Sequence, residues 1–495
     1  MAARIMITGW GQCTQPKQAT APFMAPVDMM VEAARRAGDV AGPGALQAVD
    51  TVLVVRTQSR VLRDPGHEVA ARLGLRPRHV RVSGIGGQVP QQFVNEAAGM
   101  LARGEAACIL LCGAETYYPR DAHAVRGEQA LIQGIPDDYA EEDAVGSSPL
   151  EMRHGLTLPI HGFPLFEVAL WAESGLSRAD WLAKVGTMWA GFSAAAARHP
   201  NAWTRAPLDA ATITTPGPDN RPICFPYTKR MVSLVMADLG AAVLLTTERH
   251  AAARRDGAGQ PVYFLGGAFA KDRQRFMIEK DAFTRSPPLD QAVQLAEART
   301  GLNVAEIEAF DLYSCFPCAV TVARRRLGLG DGDPRPLTLT GGLGFFGGPG
   351  SNYALHGIAT MAEAIAAGRH ATGMTTALGW FMHKYAVGFY GARPGTPLPG
   401  THDREDAANP SAGAPPVPIA DQPTGDGTLE TYTVICDRDQ RPARSLLYGR
   451  LDDGRRFVAN GPHASAHYDE LTGENQVGRR VRLATDGDVT RAVLA

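Results

Sequence analysis

Apolar residues in the first part of the chain follow two alternating periods, one typical of strands and one typical of helices. Strands are predicted over residues 4–9, 50–55 and 107–112. Helices are predicted over 27–37 and 88–103, the second with Pro90 in its first turn. Strands that alternate with helices in this way indicate an α/β domain with helices packed on a sheet.

A second α/β series begins near residue 262 and repeats the plan of the first. The order of helix end, glycine, strand and glycine at 100–113 recurs at 361–379, with few identical residues. Such a repeat predicts two duplicated α/β halves, residues 1–257 and 258–393. The second half contains predicted strands at 262–269, 307–313, 336–340, 371–378 and 385–390 and predicted helices at 289–300, 317–327 and 353–367.

The alternation stops between about residues 116 and 235. A structureless loop of that length would be unusual in a compact domain, so we predict an insertion with helices of its own near 163–173 and 181–198. The insertion also contains acidic residues between Asp137 and Asp143, which we interpret as a solvated loop.

The end of the chain has a different composition. Residues 394–427 are rich in Pro, Gly and Ala and predict a linker. Short alternating segments follow in 428–495, and Asp453-Gly454 between two of them is a hairpin signal. This pattern predicts a small β-barrel.

Composition excludes several classes of protein. The net charge of −2 gives no bias toward nucleic acid, and no apolar run approaches the length of a membrane span. The seven cysteines are scattered, which favours a reducing compartment, and we expect a cytoplasmic protein. Cys315 and Cys318 form a CxxC without a second pair of ligands, so no metal site is predicted.

The densest local signal is the run 341–350, in which six of the ten residues are glycine. It lies between a predicted strand and a predicted helix, where glycines permit positive φ and a close approach of the backbone to a ligand. Either a phosphate cradle or a tight active-site turn fits this position. No Lys-Ser or Lys-Thr follows the glycines, so the run is not a P-loop.

The chain resembles the thiolase superfamily, and most closely the sterol-carrier-type thiolases and the type 1 thiolase-like proteins. The resemblance rests on the duplicated halves, the insertion, the late glycine run and three local matches, at 113–115, 164–170 and 311–316. It implies a five-layered αβαβα thiolase fold, acyl-CoA or coenzyme A as substrate or ligand, no tightly bound cofactor, and a homodimer or higher homo-oligomer. The tail at 428–495 resembles the additional OB-like domain of the type 1 proteins.

The residues that perform thiolase chemistry are missing at the matching positions. The nucleophilic cysteine position falls on Gly87, and the Gly-His-Pro turn reads Gly347-Gly348-Pro349. The His-Asp-Cys-Phe motif reads Tyr313-Ser314-Cys315-Phe316, and the late Cys-x-Gly turn falls near Gly379 without a cysteine. A glycine forms no thioester and moves no proton, so Claisen chemistry through an acyl-cysteine is not expected.

Four side chains are candidate catalytic groups, each with an ordinary structural alternative. Tyr313 could act as a general acid or oxyanion donor, or be a buried tyrosine with a satisfied hydroxyl. Cys315 and His356 could line the pocket or simply pack. His383, followed by Lys384, could serve as a base or bind phosphate. We expect the substrate to contact Gly87, Gly348, Lys229 and Arg230, the last two through CoA phosphates.

Three functions remain open at this point. The first is an acyl-CoA-binding protein of the acetyl-CoA acetyltransferase type without Claisen activity. The second is an aldolase or related C–C bond enzyme that acts on a CoA thioester and needs no acyl-cysteine. The third is a non-enzymatic acyl-CoA or lipid carrier, or a scaffold, with the tail as a docking module.

Overall fold

The structure, a computed structural model, describes residues 3–119, 146–252, 260–396 and 411–495. The predicted acidic cluster at 137–143 lies outside these residues. The strands are β1 (Ile5–Thr14), β2 (Thr51–Val54), β3 (His79–Val82), β4 (Cys108–Thr116), β5 (Pro222–Cys224), β6 (Tyr227–Thr228), β7 (Asp238–Thr247), β8 (Tyr263–Lys271), β9 (Ala309–Asp311), β10 (Thr372–Gly379), β11 (Lys384–Gly391), β12 (Gly425–Cys436), β13 (Pro442–Leu451), β14 (Arg456–Ala459), β15 (Arg480–Asp486) and β16 (Val489–Leu494).

Nine of these strands form one mixed sheet in the order β3-β2-β4-β7-β1-β8-β11-β10-β9. The first five belong to the first half of the chain, and the rest belong to the second half. The two halves join at β1 and β8, where Ile5 pairs with Phe264 and Met6 with Tyr263. Counted outward from this junction, the strands of the second half follow the order β8, β11, β10, β9, and those of the first half follow the order β1, β7, β4, β2. The two orders correspond strand by strand, as expected for a duplicated unit.

The prediction of a regular strand at 336–340 is wrong. The segment lies beside β9 and accepts hydrogen bonds from the Phe310 and Leu312 N–H groups at 2.9 Å each, so it occupies the place of a last strand. Its own N–H groups at Leu339 and Thr340 turn instead toward the carboxylate of Asp311. The Asp311 carboxylate therefore accepts the hydrogen bonds that a neighbouring strand would accept in a regular ladder.

The helices are α1 (Pro26–Ala41), α2 (Pro65–Arg72), α3 (Val89–Arg103), α4 (Pro149–His154), α5 (Pro159–Ser174), α6 (Arg178–Arg198), α7 (Ala210–Thr214), α8 (Glu248–Ala252), α9 (Pro287–Thr300), α10 (Pro317–Arg326), α11 (Tyr353–Ala366) and α12 (Ser465–Thr472). Helices α3 and α11 contact each other and strands of both halves, whereas α1 contacts strands of the first half and α9 strands of the second. The two central helices α3 and α11 thus lie between the two halves of the nine-stranded sheet, with α1 and α9 on the outer sides, and the predicted thiolase-type α/β fold is confirmed. None of the helices in the described ranges is long and apolar enough to cross a bilayer.

The insertion supplies α5 and α6, close to the predicted helices, and the short strands β5 and β6. At the end of the chain, β12 begins at Gly425, inside the range predicted as a linker. Within the same range Val417 and Ala420 are buried, and the Val417 N–H donates to the Glu279 carbonyl at 2.9 Å. The part of this range that the structure describes is therefore packed against the second half of the chain.

The last five strands form a small barrel in the order β14-β13-β12-β15-β16. Asn460 closes it, because its N–H donates to Thr490 and its carbonyl accepts from Ala492. The barrel does not stand apart from the rest of the molecule. Strand β5 of the insertion pairs with β12, and buried residues of the barrel and of α5 belong to one continuous apolar core.

Candidate functional site

Gly87, the position predicted to lack the nucleophilic cysteine, lies just before the buried helix α3, and the space beside it is sterically occupied. A Cβ on Gly87 would lie 2.1 Å from the hydroxyl oxygen of Tyr313 and 2.5 Å from the carbonyl oxygen of Leu378. Cβ atoms do not approach other atoms so closely, so only glycine fits here while Tyr313 holds its place. The tyrosine hydroxyl thus fills the space into which a side chain at residue 87 would project.

Tyr313 is held in this position by its neighbours. Its N–H donates to Thr376 Oγ1 at 2.9 Å, and its ring packs edge-on against Tyr353 with centroids 5.5 Å apart. Burial raises the pKa of the Tyr313 hydroxyl well above its ordinary value. The group therefore stays protonated near neutral pH, and it can donate a hydrogen bond but is unsuited to act as a base.

Asp311, two residues before Tyr313, binds the segment that leads into the glycine loop. Its Oδ2 accepts from the backbone N–H groups of Leu339 and Thr340 at 2.9 and 3.0 Å, and from the Thr338 hydroxyl at 3.1 Å. Its Oδ1 accepts from the Tyr353 hydroxyl at 3.1 Å. The carboxylate is fully buried, and burial raises its pKa despite these donors. Sequence reasoning missed this role of Asp311.

The glycine loop is an internal turn and not a phosphate cradle. Its N–H groups at Gly341, Gly342 and Leu343 donate to hydroxyls of Thr338, Thr340 and Ser314. Gly341 has φ of 106°, and a Cβ there would lie 2.4 Å from the Ala196 backbone. The glycines therefore allow close packing against the insertion.

Gly348 differs from Gly87 because there is room beside it. A Cβ would meet its nearest neighbours, Leu343 and Ser233, at 3.4 and 3.5 Å, which are ordinary contact distances. The Gly348 N–H donates to the Leu234 carbonyl at 2.8 Å. The backbone thus fixes this glycine, and a methyl group at this position would fit without a clash.

A buried carboxylate lies under the end of the loop. Glu115 accepts from the N–H groups of Gln58 and Ser59 at 2.8 Å each, and a Cβ on Gly350 would lie 2.5 Å from its Oε1. Burial raises the pKa of Glu115 to about 7. Ser351 links this group to the start of α3, since its Oγ accepts from Gln58 Nε2 at 2.7 Å and from the Gly86 N–H at 3.0 Å.

His356 does not join Tyr313 in the structure. Its Nδ1 lies 2.8 Å from Gln12 Oε1, on β1, and its backbone carbonyl accepts from the Thr360 hydroxyl. The side chain is fully buried, and burial lowers its pKa to about 3. The imidazole is therefore neutral near pH 7, and a catalytic role for it stays a prediction.

His383 and Lys384 lie at the turn between β10 and β11 and are both buried. The turn is tight, because Trp380 and Met382 have positive φ of 47° and 58° without being glycine. The His383 carbonyl accepts from the Asp272 N–H at 2.7 Å. A catalytic role for either side chain stays a prediction.

Cys315 is buried directly after Tyr313 and Ser314, and its carbonyl accepts from the Ser233 hydroxyl at 2.8 Å. Burial raises the pKa of its thiol well above the ordinary value, so the reactive thiolate is disfavoured. Cys318 donates to the Phe163 carbonyl. No group of three or more potential metal ligands occurs among the described residues.

Glu167, in the insertion helix α5, lies near these cysteines and was not singled out by sequence reasoning as a functional group. It accepts from Trp181 Nε1 at 2.8 Å and from the Tyr227 hydroxyl at 2.6 Å. The Tyr227 ring stacks on Phe316. Burial raises the pKa of Glu167 to about 7. A buried acid flanked by aromatic donors has no signature in sequence spacing.

The two predicted phosphate-binding residues lie in the segment that leads to Gly348. Lys229 is exposed, while Arg230 is partly buried and donates to the Thr212 carbonyl at 3.2 Å. Gln88, next to Gly87, was also missed as a site residue. Its side-chain Oε1 is buried without a hydrogen-bond partner among the described residues.

Comparisons with known proteins agree with this architecture. The family model described as the thiolase-like protein type 1 additional C-terminal domain matches residues 411–488. No protein among those with curated descriptions matches the chain. A crystal structure of a monomeric SCP2-thiolase like protein type 1 from Mycobacterium smegmatis is 31% identical, with a TM-score of 0.81 and coverage of 99% of both chains.

Two more distant structures share the fold. The Ltp2–ChsH2(DUF35) aldolase is 19% identical with a TM-score of 0.62, and the similarity covers 79% of this chain and 98% of that one. Acetyl-CoA acetyltransferase from Syntrophomonas wolfei is 12% identical with a TM-score of 0.55, over 79% and 100% of the two chains. The identity to the mycobacterial protein over nearly the whole length, together with the match of the C-terminal domain, shows that this chain belongs to the SCP2-thiolase-like proteins of type 1.

Proposed function

We propose that the chain binds an acyl-CoA thioester and does not catalyse Claisen condensation through an acyl-cysteine. The observation that carries the proposal is the 2.1 Å separation between a Cβ on Gly87 and the Tyr313 hydroxyl. An acyl-enzyme intermediate would need a nucleophilic side chain in that space. The high pKa that burial gives the Cys315 thiol is a second argument against a cysteine nucleophile.

Binding of coenzyme A is supported by the surroundings of Gly348. The exposed Lys229 lies at the start of a short segment that ends beside this glycine, where the Gly348 N–H donates to the Leu234 carbonyl. A cation near the entrance of the binding site would pair with the phosphates at the nucleotide end of coenzyme A.

A cytoplasmic location remains part of this proposal, and the free cysteines, six of them buried, are compatible with it.

Calorimetric titration tests the binding step with coenzyme A and with short-chain, long-chain and steroid acyl-CoA thioesters. We expect saturable binding of at least one thioester, weakened about three- to tenfold in Lys229→Ala because one charge-assisted contact is lost. Asp219→Ala, which removes an unrelated charge from the insertion, is the control. Absence of binding to every ligand would refute this function and the next one.

A second candidate is retro-aldol cleavage of a β-hydroxyacyl thioester. In this reaction a base takes the proton of the β-hydroxyl, the Cα–Cβ bond breaks to give an aldehyde, and the electron pair moves into the thioester enolate. Protonation of that enolate gives the shortened acyl thioester. The feature that favours this chemistry is the Tyr313 hydroxyl beside Gly87, since burial raises its pKa and a hydroxyl that keeps its proton can donate to an enolate oxygen. The fold shared with the Ltp2–ChsH2 aldolase is compatible with it.

Incubation with β-hydroxyacyl thioesters, followed by aldehyde trapping, tests the second candidate. Activity that falls at least a hundredfold in Tyr313→Phe would support it, since removal of one oxyanion donor costs about that much. Binding without any turnover would instead favour the carrier or scaffold. Detection of thiolysis or condensation activity would overturn the exclusion of Claisen chemistry.

A further inference from the structure

A cavity lies between the insertion and the second half of the chain, and neither Gly87 nor Tyr313 lines it. Its volume is about 340 Å³. One wall is α6, the other is the end of α10, and the glycine-flanked loop at 328–332 closes one side. A volume of this order suits a small organic molecule.

Cationic groups from both walls converge in this cavity. Lys184 on α6 places its Nζ 2.8 Å from Asp331 Oδ2, and Arg324 on α10 places Nη2 3.2 Å from Asp331 Oδ1. The side chain of Arg324 is only 12% exposed, whereas that of Asp331 is 64% exposed. Thus two positive groups, one of them largely buried, are held by one carboxylate on a surface loop.

Arg324 is fixed by the protein and still has unused hydrogen-bonding capacity. Its Nη2 donates to the Gly330 carbonyl at 2.5 Å, and its Nη1 contacts Met188 Sδ at 3.8 Å. Its Nε is buried and has no hydrogen-bond partner in the described part of the chain. A largely buried guanidinium is expected to pair with an anion, and in this structure the anion is Asp331.

The positive groups around Asp331 favour a negative charge at this position. The hydrogen bond from Lys184, and then the positive charges of Lys184 and Arg324, hold the pKa of Asp331 below its ordinary value. Because Asp331 is mostly exposed and lies between Gly330 and Gly332, its ion pairs contribute little to stability and are easily exchanged.

We propose that this cavity is a binding site for a small phosphate monoester, and that Asp331 is an internal occupant which the ligand displaces. The phosphate group takes the place of the Asp331 carboxylate between Lys184 and Arg324. A dianion matches two cations better than the single charge of Asp331 does. The apolar part of the ligand packs on Val185 and Leu329 in the same cavity.

Titration calorimetry with inorganic phosphate and with AMP tests the site in the full-length protein. We expect AMP to bind more tightly than phosphate, because AMP adds contacts with the apolar wall, and both affinities to fall with added salt. Arg324→Gln should weaken AMP binding at least tenfold. Arg326→Gln is the matched control, since Arg326 lies on the same helix but pairs with Asp290 and does not line the cavity.

Two further variants keep the proposal open to refutation if Arg324→Gln fails to fold. Lys184→Gln changes a half-exposed side chain and should also weaken AMP binding about tenfold. Asp331→Asn removes the internal occupant and should strengthen it about three- to tenfold. Binding of neither probe, or equal effects of Lys184→Gln and Arg326→Gln, would overturn the site. An unchanged affinity in Asp331→Asn would overturn the displacement mechanism. AMP resembles the nucleotide end of coenzyme A, so the effects of Lys184→Gln and Arg324→Gln, and not binding alone, assign AMP to this cavity rather than to the proposed acyl-CoA site.

Discussion

Gly87 and Gly348, the positions at which the resemblance to thiolases predicts that catalytic side chains are missing, have different surroundings. A Cβ on Gly87 would clash with the Tyr313 hydroxyl and the Leu378 carbonyl, whereas a Cβ on Gly348 would make only ordinary contacts. The first glycine is therefore required by packing with Tyr313, and the second is not required by packing.

This difference predicts opposite effects for the same substitution. Gly87→Ala should lower the free energy of unfolding by about 1–3 kcal/mol, the usual consequence of overpacking a well-filled core. Gly348→Ala should leave it unchanged or raise it by up to about 1 kcal/mol, because alanine restricts the unfolded chain. Urea denaturation of both variants measures the contrast. Equal stabilities would mean that Tyr313 moves aside readily, and the steric argument against a side chain at residue 87 would fail.

The buried carboxylate of Glu167 makes a prediction about pH. Its pKa is raised to about 7 by burial, above its usual value of 4.5. The folded state therefore holds a proton that the unfolded state releases, so the stabilising contribution is complete below about pH 4.5 and is lost as the pH rises to about 7. The loss is of order 3 kcal/mol.

Glu167→Gln keeps an acceptor for Trp181 and removes the titration. We expect its free energy of unfolding to decline less between pH 5 and 7.5 than that of the unchanged protein. Glu173→Gln, an exposed position at the end of the same helix, is the control and should follow the unchanged protein. Parallel curves for all three proteins would show that Glu167 is ionised in the folded state throughout this range.

At the scale of elements, the segment 336–340 depends on one side chain. Asp311 binds its backbone and the Thr338 and Thr340 hydroxyls in place of a strand ladder. Asp311→Asn would point an amide donor at other donors and leave part of this network unpaired. We expect a loss of about 2–4 kcal/mol in the free energy of unfolding. Hydrogen exchange at Gly341 and Gly342 should become faster.

Asp452→Asn provides the control, because Asp452 forms an exposed pair with Arg480 in the C-terminal barrel. It should change the free energy of unfolding little, because exposed ion pairs contribute little to stability. If Asp311→Asn behaved like Asp452→Asn, the glycine loop would be held by its own packing and not by the carboxylate.

The same element illustrates what the sequence could predict. Apolar periodicity and glycine positions sufficed for the long buried helices 89–103 and 353–366 and for most strands, because burial dictates their patterns. Residues 336–340 also have a strand-like pattern, but a distant carboxylate competes for their N–H groups. The candidate site depends on contacts of that kind. The sequence predicts the absence of the thiolase cysteine and histidine, whereas the contact between Gly87 and Tyr313 arises only when the two halves pack together.

For the whole molecule, the exposed edge of the large sheet bears on its assembly. Strand β3 ends the sheet among the described residues, and His79 and Arg81 on it are exposed. Charged side chains on an edge strand disfavour pairing with another chain. We therefore expect a monomer of 52.7 kDa in light scattering, although the resemblance to thiolases implied a homodimer. The mycobacterial relative is likewise described as monomeric. A mass about twice as large would support the homodimer.

The C-terminal barrel raises the question of whether it can be removed. The sequence suggested a module behind a linker, whose deletion would leave a folded core. In the structure Leu429, Tyr432 and Val434 of β12 are fully buried in the same apolar cluster as Phe166 of the insertion. Burial of each such side chain contributes about 1.5–3 kcal/mol, which is large compared with the net stability of a domain.

A polar contact reinforces this interface. Arg456 of β14 is fully buried, donates to the Lys280 carbonyl and lies over the Phe283 ring at 4.7 Å. Removal of the barrel would therefore expose apolar surface on the insertion and on the segment near Phe283. It would also leave the Lys280 carbonyl without this donor.

We accordingly expect the chain truncated after residue 410 to be insoluble, or to unfold without a cooperative transition in calorimetry. Arg456→Ala in the full-length chain should lower the free energy of unfolding by about 3–5 kcal/mol, because it breaks a buried charged contact. Arg455→Ala is the neighbouring control, since its side chain is half exposed and pairs only with Asp453 among the described ion pairs. If the truncated chain were soluble and melted at the temperature of the intact protein, the barrel would be a separable module. Its contacts with the insertion would then contribute nothing to the stability of the thiolase-like core.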